Sequence, residues 1–357
     1  MNKGVYAMGT NQLLQAVKIN DWELKSRVVM APMTRGFANN DTGEVGLDIL
    51  NYYKKRAKDG VGIIITEGIN PSIRGKGTFG IPGLYTESQV KSWKSVTEAV
   101  HEEGGLIVAQ LWHVGRLTHR DLTGGYPPQA PSPIKANGLV HRLRKPFEEP
   151  EEMSVNDINH VINEYALAAR NAVKAGFDGV EVHAAHGYLI DQFNSSITNN
   201  RTDGYGVTSE GRLRFMREVL EAVVKEVGKE KTIVRFSEIK DDIPEFKWVD
   251  PVQNVKEFIR IFKEVNIEIL HPSTNDFSQK ITTNMTFHQL VRKYWDGVII
   301  GVGKLDVETA NEAIQEGTID IAAFGRPLLA NPDFVQKVKM GKGLNSYQSS
   351  IHLKRLN

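Results

Sequence analysis

Short apolar runs rich in Val and Ile recur along the chain: Val28–Met33, Gly62–Glu67, Leu106–Trp112, Gly179–Ala184, Thr232–Ser237, Ile267–Ser273, Gly297–Gly303 and Ile321–Arg326. Each is apolar at consecutive positions instead of every second one. That is the pattern of parallel strands covered on both faces. Longer segments with helical periodicity lie between them: Leu47–Asp59, Thr86–Glu103, Ser154–Ala175, Ser209–Val227, Pro251–Val265 and Asp306–Glu316. Thr86 with Glu87, Ser154 with Asp157, and Asp250 before Pro251 are helix starts. Gly60, Gly104-Gly105, Gly176, Gly228 and Gly317 end helices just before strands. Residues 12–27 alternate weakly around Asn20-Asp21 and predict a hairpin ahead of the repeating part.

Eight strands alternating with helices over most of 357 residues predict an α/β fold, a (β/α)8 TIM barrel, as one domain spanning 1–357. A doubly wound sheet would want a glycine-rich turn after the first strand. That turn instead reads Ala31-Pro-Met-Thr-Arg-Gly36. One connection is long, from about 113 to 153. Its prolines (Pro127-Pro128, Pro131, Pro133) suit an ordered segment, large enough to lid the face where barrel active sites lie.

Composition narrows the classes. A formal net charge of +1 gives no electrostatic case for nucleic acid or an anionic membrane as partner. The absence of cysteine excludes disulfides, Cys-ligated metal, iron–sulfur clusters and a thiol nucleophile. It also fits a reducing compartment. Met1–Thr10 carries no long apolar run, and no segment has the length of a membrane span, so a cytoplasmic location is expected.

Chemistry concentrates at predicted strand ends. His183, His186 and Tyr188 fall within six residues after Gly179-Val-Glu-Val182. Two imidazoles three residues apart would aim at one ligand atom from a single turn. Singly, each also reads as a buried histidine or a packing aromatic. Together at a barrel strand's carboxyl end they read as a site. Gly303 after strand seven, and Gly325 with Arg326 after strand eight, suit a phosphate.

The chain resembles the old yellow enzyme family of FMN-dependent NAD(P)H oxidoreductases, the ene-reductases. The resemblance runs from about Leu24 to Asp333. It rests on Val28-Val-Met-Ala-Pro-Met-Thr-Arg35, Ile65-Thr-Glu-Gly68, Gly75-Lys-Gly77, Ala109-Gln-Leu-Trp-His-Val-Gly-Arg116, Ala130-Pro-Ser132, Ala175-Gly-Phe-Asp-Gly-Val-Glu-Val-His183, Gly187-Tyr188, Asp191-Gln-Phe193, Asn200-Arg-Thr-Asp203, Ala323-Phe-Gly-Arg-Pro327 and Asn331-Pro-Asp333.

The resemblance implies bound FMN, NAD(P)H (NADH or NADPH) as electron donor, and hydride transfer to an activated alkene. It implies that Pro32, Met33, Thr34 and Gly68 border the isoalloxazine. Gln110 would bind the pyrimidine edge, and Arg235 the region where charge gathers on reduction. Gly303, Lys304 through its backbone, Gly325 and Arg326 would hold the ribityl phosphate. His183 and His186 would donate to a substrate oxygen, Tyr188 would protonate the α-carbon, and Trp112 would wall the pocket. Small-molecule substrates are implied, with monomers or a homo-oligomer both allowed.

Departures are specific. Thr78 and Leu353 stand where the family has pocket tyrosines, which bears on substrate range and nicotinamide stacking. Gly204 and Gly211 replace an acidic residue and an asparagine. Ile239–Trp248 and the tail after Met340 give little resemblance. Three other readings stay open: an iron–sulfur dienoyl-CoA reductase, disfavoured by the absence of cysteine; a metal-dependent barrel hydrolase using His183 and His186 with His113, His271 or Glu67; and a non-catalytic flavin-binding protein.

Overall fold

A computed structural model describes residues 11–357. Met1–Thr10, and with it the expectation about a secretory signal, lies outside the described residues. Eight parallel strands close into a barrel: β1 Val28–Met30, β2 Ile63–Ile69, β3 Leu106–Leu111, β4 Gly179–His186, β5 Thr232–Lys240, β6 Ile269–Ser273, β7 Val298–Gly301 and β8 Ile321–Phe324. Closure is made by β8 on β1, with Ala322 opposite Val28 and Phe324 opposite Met30.

Consecutive apolar residues in each strand serve two cores. Val29, Ile63, Ile65, Val108, Ile233, Ile269, Ile300 and Ile321 point inward and fill the barrel. Their neighbours Val28, Ile64, Ile107, Val180 and Val234 point outward and pack under the helices. The expected hairpin pairs Val17–Ile19 with Trp22–Leu24 and plugs the barrel floor. Gly179 permits this plug, because a Cβ there would stand 2.8 Å from the Trp22 ring.

The predicted helices form close to their expected bounds. Thr86 with Gln89 and Ser154 with Asp157 make capping boxes, and Asp250 caps the helix that begins at Pro251. The sequence reading omits Phe287–Tyr294, the helix between β6 and β7. Thr286 and Gln289 close a third capping box at its start. Residues 113–153 are ordered over the barrel top. Gln129–Ala130 pairs with Glu151–Glu152 there, and Leu139 bridges to Pro146. No helix among the described residues is long and apolar enough to cross a membrane.

Some strand bounds differ from expectation. β1 stops at Met30, so Ala31–Thr34 is loop, and β8 stops at Phe324, so Arg326 opens a short helix. β4 and β5 run further than predicted because their ends stay hydrogen-bonded to each other. This pairing takes in His186 opposite Lys240 after a register shift beyond Ala184.

Candidate active site

His183 and His186 lie on one strand at an odd spacing, and in a regular strand they would face opposite sides. They are brought together by the irregularity between Ala184 and His186, where His186 takes a left-handed φ of 60°. The expected single turn is thus a bulged strand. Ser237 on β5 fixes it by accepting the His186 backbone N–H at 2.9 Å. The two imidazoles end with ring centres 5.1 Å apart, and the Tyr188 ring lies 5.0 Å from His183. Trp112 packs edge-on against Tyr188 at 5.0 Å.

Pro32, Thr34, Gln110, Trp112, His183, His186, Tyr188 and Arg235 line one inner cavity of about 120 Å³. Eight residues from the ends of β1, β3, β4 and β5 and the loops after them meet there. Above it opens a second cavity of about 390 Å³, lined by Thr34, Trp112 and Tyr188 again. Its other walls are loop residues, among them Thr78, Leu117, Leu139, His141, Phe147 and Asp241. Thr78 is buried and its hydroxyl donates to the His141 carbonyl at 2.9 Å. Leu353 is not among the residues lining either cavity and is exposed.

Electrostatics keep the three proton-bearing groups neutral. Burial lowers the pKa of His183 well below the usual imidazole value, and nearby His186 and Arg235 lower it further. Burial does the same to His186, followed by Arg235, His271 and Lys240. The Tyr188 phenol is raised by burial and then by the carboxylates of Asp241 and Asp242. Two neutral imidazoles and one phenol thus present N–H and O–H donors to the cavity.

Below them runs a buried polar chain; the sequence singles out Gln110, Arg235 and His271 in it, but not Glu181 or Ser273. The Gln110 carboxamide donates to Glu181 at 2.8 Å, and His271 Nδ1 donates to the other Glu181 oxygen at 2.6 Å. Arg235 reaches His271 Nε2 at 3.5 Å and donates to Ser273 Oγ at 3.0 Å. Glu181 is held below the ordinary carboxylate range: burial raises it, but His271, Arg235 and Gln110 outweigh burial. Its carboxylate therefore anchors the array.

The residues present fit a flavin. Arg235 Nε and Trp112 Nε1 are buried without partners, so the site offers donors that the protein leaves unused. Gln110 keeps its oxygen free while one N–H serves Glu181. Gly68 has no Cβ, and one built there would stand 2.3 Å from the Trp112 ring. Gly303 adopts φ 130°, where a side chain would be strained and would meet Thr274 and Phe277. Lys304 turns its ammonium outward towards Asp276 at 3.7 Å and leaves its backbone for a ligand. Met33 packs beside Gly325, and exposed Arg326 has the Tyr347 ring 5.7 Å from its guanidinium carbon. Met33, Gly68, Gly303, Lys304, Gly325 and Arg326 lie outside the lining of the inner cavity.

The candidate ligands of a metal hydrolase are dispersed instead. His271 is committed to Glu181, and Glu67 accepts the backbone N–H groups of Arg35 and Gly36 at 3.0 Å each. Among the described residues no three His, Asp or Glu side chains converge as a metal site would require.

A barrel with this donor set at its carboxyl end defines a flavin-dependent oxidoreductase. Residues 12–345 match the NADH:flavin oxidoreductase / NADH oxidase family, and the chain belongs to it, within the old yellow enzyme group. FMN is the cofactor and NAD(P)H the electron donor. Flavin oxidoreductase hxnT of Emericella nidulans is 34% identical, across 95% of this chain and 93% of that protein. 12-Oxophytodienoate reductase 2 of Arabidopsis thaliana is also 34% identical, across 95% and 91%. Among solved structures, the old yellow enzyme homologue from Zymomonas mobilis superposes with a TM-score of 0.82 at 34% identity, covering 94% of each chain. Morphinone reductase superposes at 0.85 with 33% identity, covering 97% of this chain and 94% of its own.

Proposed function

We propose that this chain is an ene-reductase acting on α,β-unsaturated carbonyl or nitro compounds. Bound FMN, reduced by NAD(P)H, would supply the hydride for the β-carbon of the alkene. His183 and His186 bind the activating oxygen and stabilise the negative charge that gathers on it during attack. They do so as neutral donors already fixed in place, so little reorganisation accompanies the reaction. Tyr188 holds its proton beside the α-carbon and delivers it there, completing addition across the double bond. Its phenol stays protonated because burial and two neighbouring carboxylates oppose ionisation.

Thr34, Pro32, Gln110 and Arg235 would border the flavin ring. The backbone at Gly303, Lys304 and Gly325, with Arg326, would hold its phosphate. The outer cavity, with Leu117, Leu139, Val114 and Phe147, suits a compact, largely apolar substrate. The observation that carries this reading is the convergence of two neutral imidazoles and a neutral phenol on one small cavity.

The test is a visible spectrum of the purified protein, followed anaerobically. NADPH or NADH should bleach a flavin spectrum, and 2-cyclohexenone should restore it. Restoration by oxygen alone would show a flavoprotein that is not an enone reductase. A colourless protein unable to take up FMN would refute the whole reading.

A further inference from the structure

We infer that Ser273 is a positioning residue: its hydroxyl decides which nitrogen of His186 carries the hydrogen, and so which N–H the imidazole offers to a substrate. Ser273 ends β6, 3% exposed, between two partners. Arg235 Nη2 stands 3.0 Å from its Oγ and His186 Nε2 stands 2.9 Å away on the other side.

The hydrogens can be counted. A guanidinium has donors only, so Ser273 Oγ accepts from Arg235. That leaves one hydroxyl hydrogen, and His186 Nε2 is the partner within reach. If it donates to Nε2, every group is satisfied and His186 carries its hydrogen on Nδ1. If His186 instead donated from Nε2, the serine hydrogen would be buried without an acceptor. That arrangement is disfavoured by roughly tenfold or more. The guanidinium cannot turn away to allow it, because His271 Nε2 receives its other arm, and His271 is tied to Glu181 at 2.6 Å.

His183 is set the opposite way. The Ala185 N–H donates to its Nδ1 at 3.3 Å, which leaves the hydrogen on Nε2. The paired imidazoles therefore present different nitrogens, Nε2–H from His183 and Nδ1–H from His186. His186 Nδ1 makes no hydrogen bond within the described residues. Two histidines on a bulged strand approach one point from different angles, and opposite tautomers let each aim an N–H at it. The division of labour on His186 is also clear: Ser237 holds its backbone and Ser273 holds its ring.

This inference rests on His186 acting as an oxygen-binding donor, but its primary readout does not. The holoenzyme, labelled with 15N-histidine, gives the tautomer of each imidazole from two-bond 1H–15N correlations, with His186→Ala used only to assign the signals. The wild type should show His186 as the Nδ1–H form. Ser273→Ala should give a mixture or the Nε2–H form, and Ser273→Thr, which keeps the hydroxyl, should restore Nδ1–H. The rate of flavin reoxidation by 2-cyclohexenone should fall about tenfold in Ser273→Ala and recover to within about twofold in Ser273→Thr. Thermal melting of both variants reports whether they fold. A wild-type Nε2–H signal, or an unchanged tautomer and rate in Ser273→Ala, overturns the inference. A tautomer that switches as described in an enzyme inert towards enones upholds the Ser273 assignment and refutes the proposed reaction instead.

Discussion

The two cavities share three walls and are built in opposite ways. The inner one is made where strands end. Its side chains are tied by hydrogen bonds to other barrel strands: Gln110 to Glu181 on β4, Arg235 to Ser273 on β6, and His186, across β5, to Ser273. The outer one is made mainly of loops. Its lid segment reaches the loop after β1 through Arg142, which donates to the carbonyls of Arg35 at 2.9 Å, Gly36 at 3.2 Å and, beyond that loop, Phe79 at 3.5 Å. The difference teaches where chemistry and selectivity reside. Groups that must not move are placed on the barrel's hydrogen-bonded frame. Groups that vary the fit are placed on segments that tolerate substitution.

If that division holds, changes in the inner cavity act on kcat and changes in the lid act on KM. Tyr188→Phe should reduce the rate of enone reduction by about 10²–10⁴-fold while leaving flavin reduction by NAD(P)H within a few-fold, measured by stopped-flow in each half-reaction. Equal loss in both halves would show that the phenol does not act as the proton donor. His183→Ala should lower kcat by about 10²–10³-fold with 2-cyclohexenone. A change confined to KM would place His183 with the selectivity groups and break the comparison.

A third test probes the frame itself through pH. Glu67 ends up beneath the Ala31–Gly36 loop. Burial pushes its carboxyl up to about 7, against the lowering effect of the Gly36 and Arg35 N–H groups and the Arg35 and Arg142 charges. The unfolded chain ionises the same group near 4.5, so it loses its proton first as pH rises. The stability this carboxyl contributes is complete below about 4.5 and is lost as pH climbs through 7. The loss is on the order of 3 kcal/mol. Glu67→Gln should flatten that part of the melting temperature against pH between 5 and 8, read by calorimetry. An unchanged slope would mean the carboxyl is already ionised at low pH.

The smallest effect is expected at the lid. Arg142→Ala removes bonds to three backbone carbonyls and should raise the enone KM about 3–10-fold with kcat within about twofold. A large fall in kcat would mean the lid helps to hold Thr34, and the two cavities would no longer be separable.

The barrel was legible because strands buried on both faces carry an unbroken apolar run, and glycine stops precede most of them. The polar cluster at His183, His186 and Tyr188 was legible from residue type alone. How those rings meet was not. Their odd spacing contradicts a regular strand, and the answer lies in a bulge fixed by Ser237 on a neighbouring strand. Ser273 left no trace, since a serine in Leu270-His-Pro-Ser273 carries no pattern, and its partners come from β4 and β5. Glu181 sat inside a recognised motif but drew no attention, because its partner His271 lies 90 positions along the chain. The helix Phe287–Tyr294 was hidden behind the polar stretch 274–285, although Thr286 and Gln289 did mark its start.

One contact ties the order of synthesis to the finished site. Arg35 follows Thr34 directly, and its buried guanidinium donates to the carbonyls of His352 at 2.7 Å and Arg355 at 2.9 Å. Those acceptors are 317 and 320 residues further on. The loop that carries Thr34 is therefore synthesised long before the carbonyls that hold it. Until they are made Arg35 lacks those two acceptors, and β1 also waits for β8. In a growing chain the loop beside Thr34 stays without these two partners until the segment around His352 and Arg355 has been made.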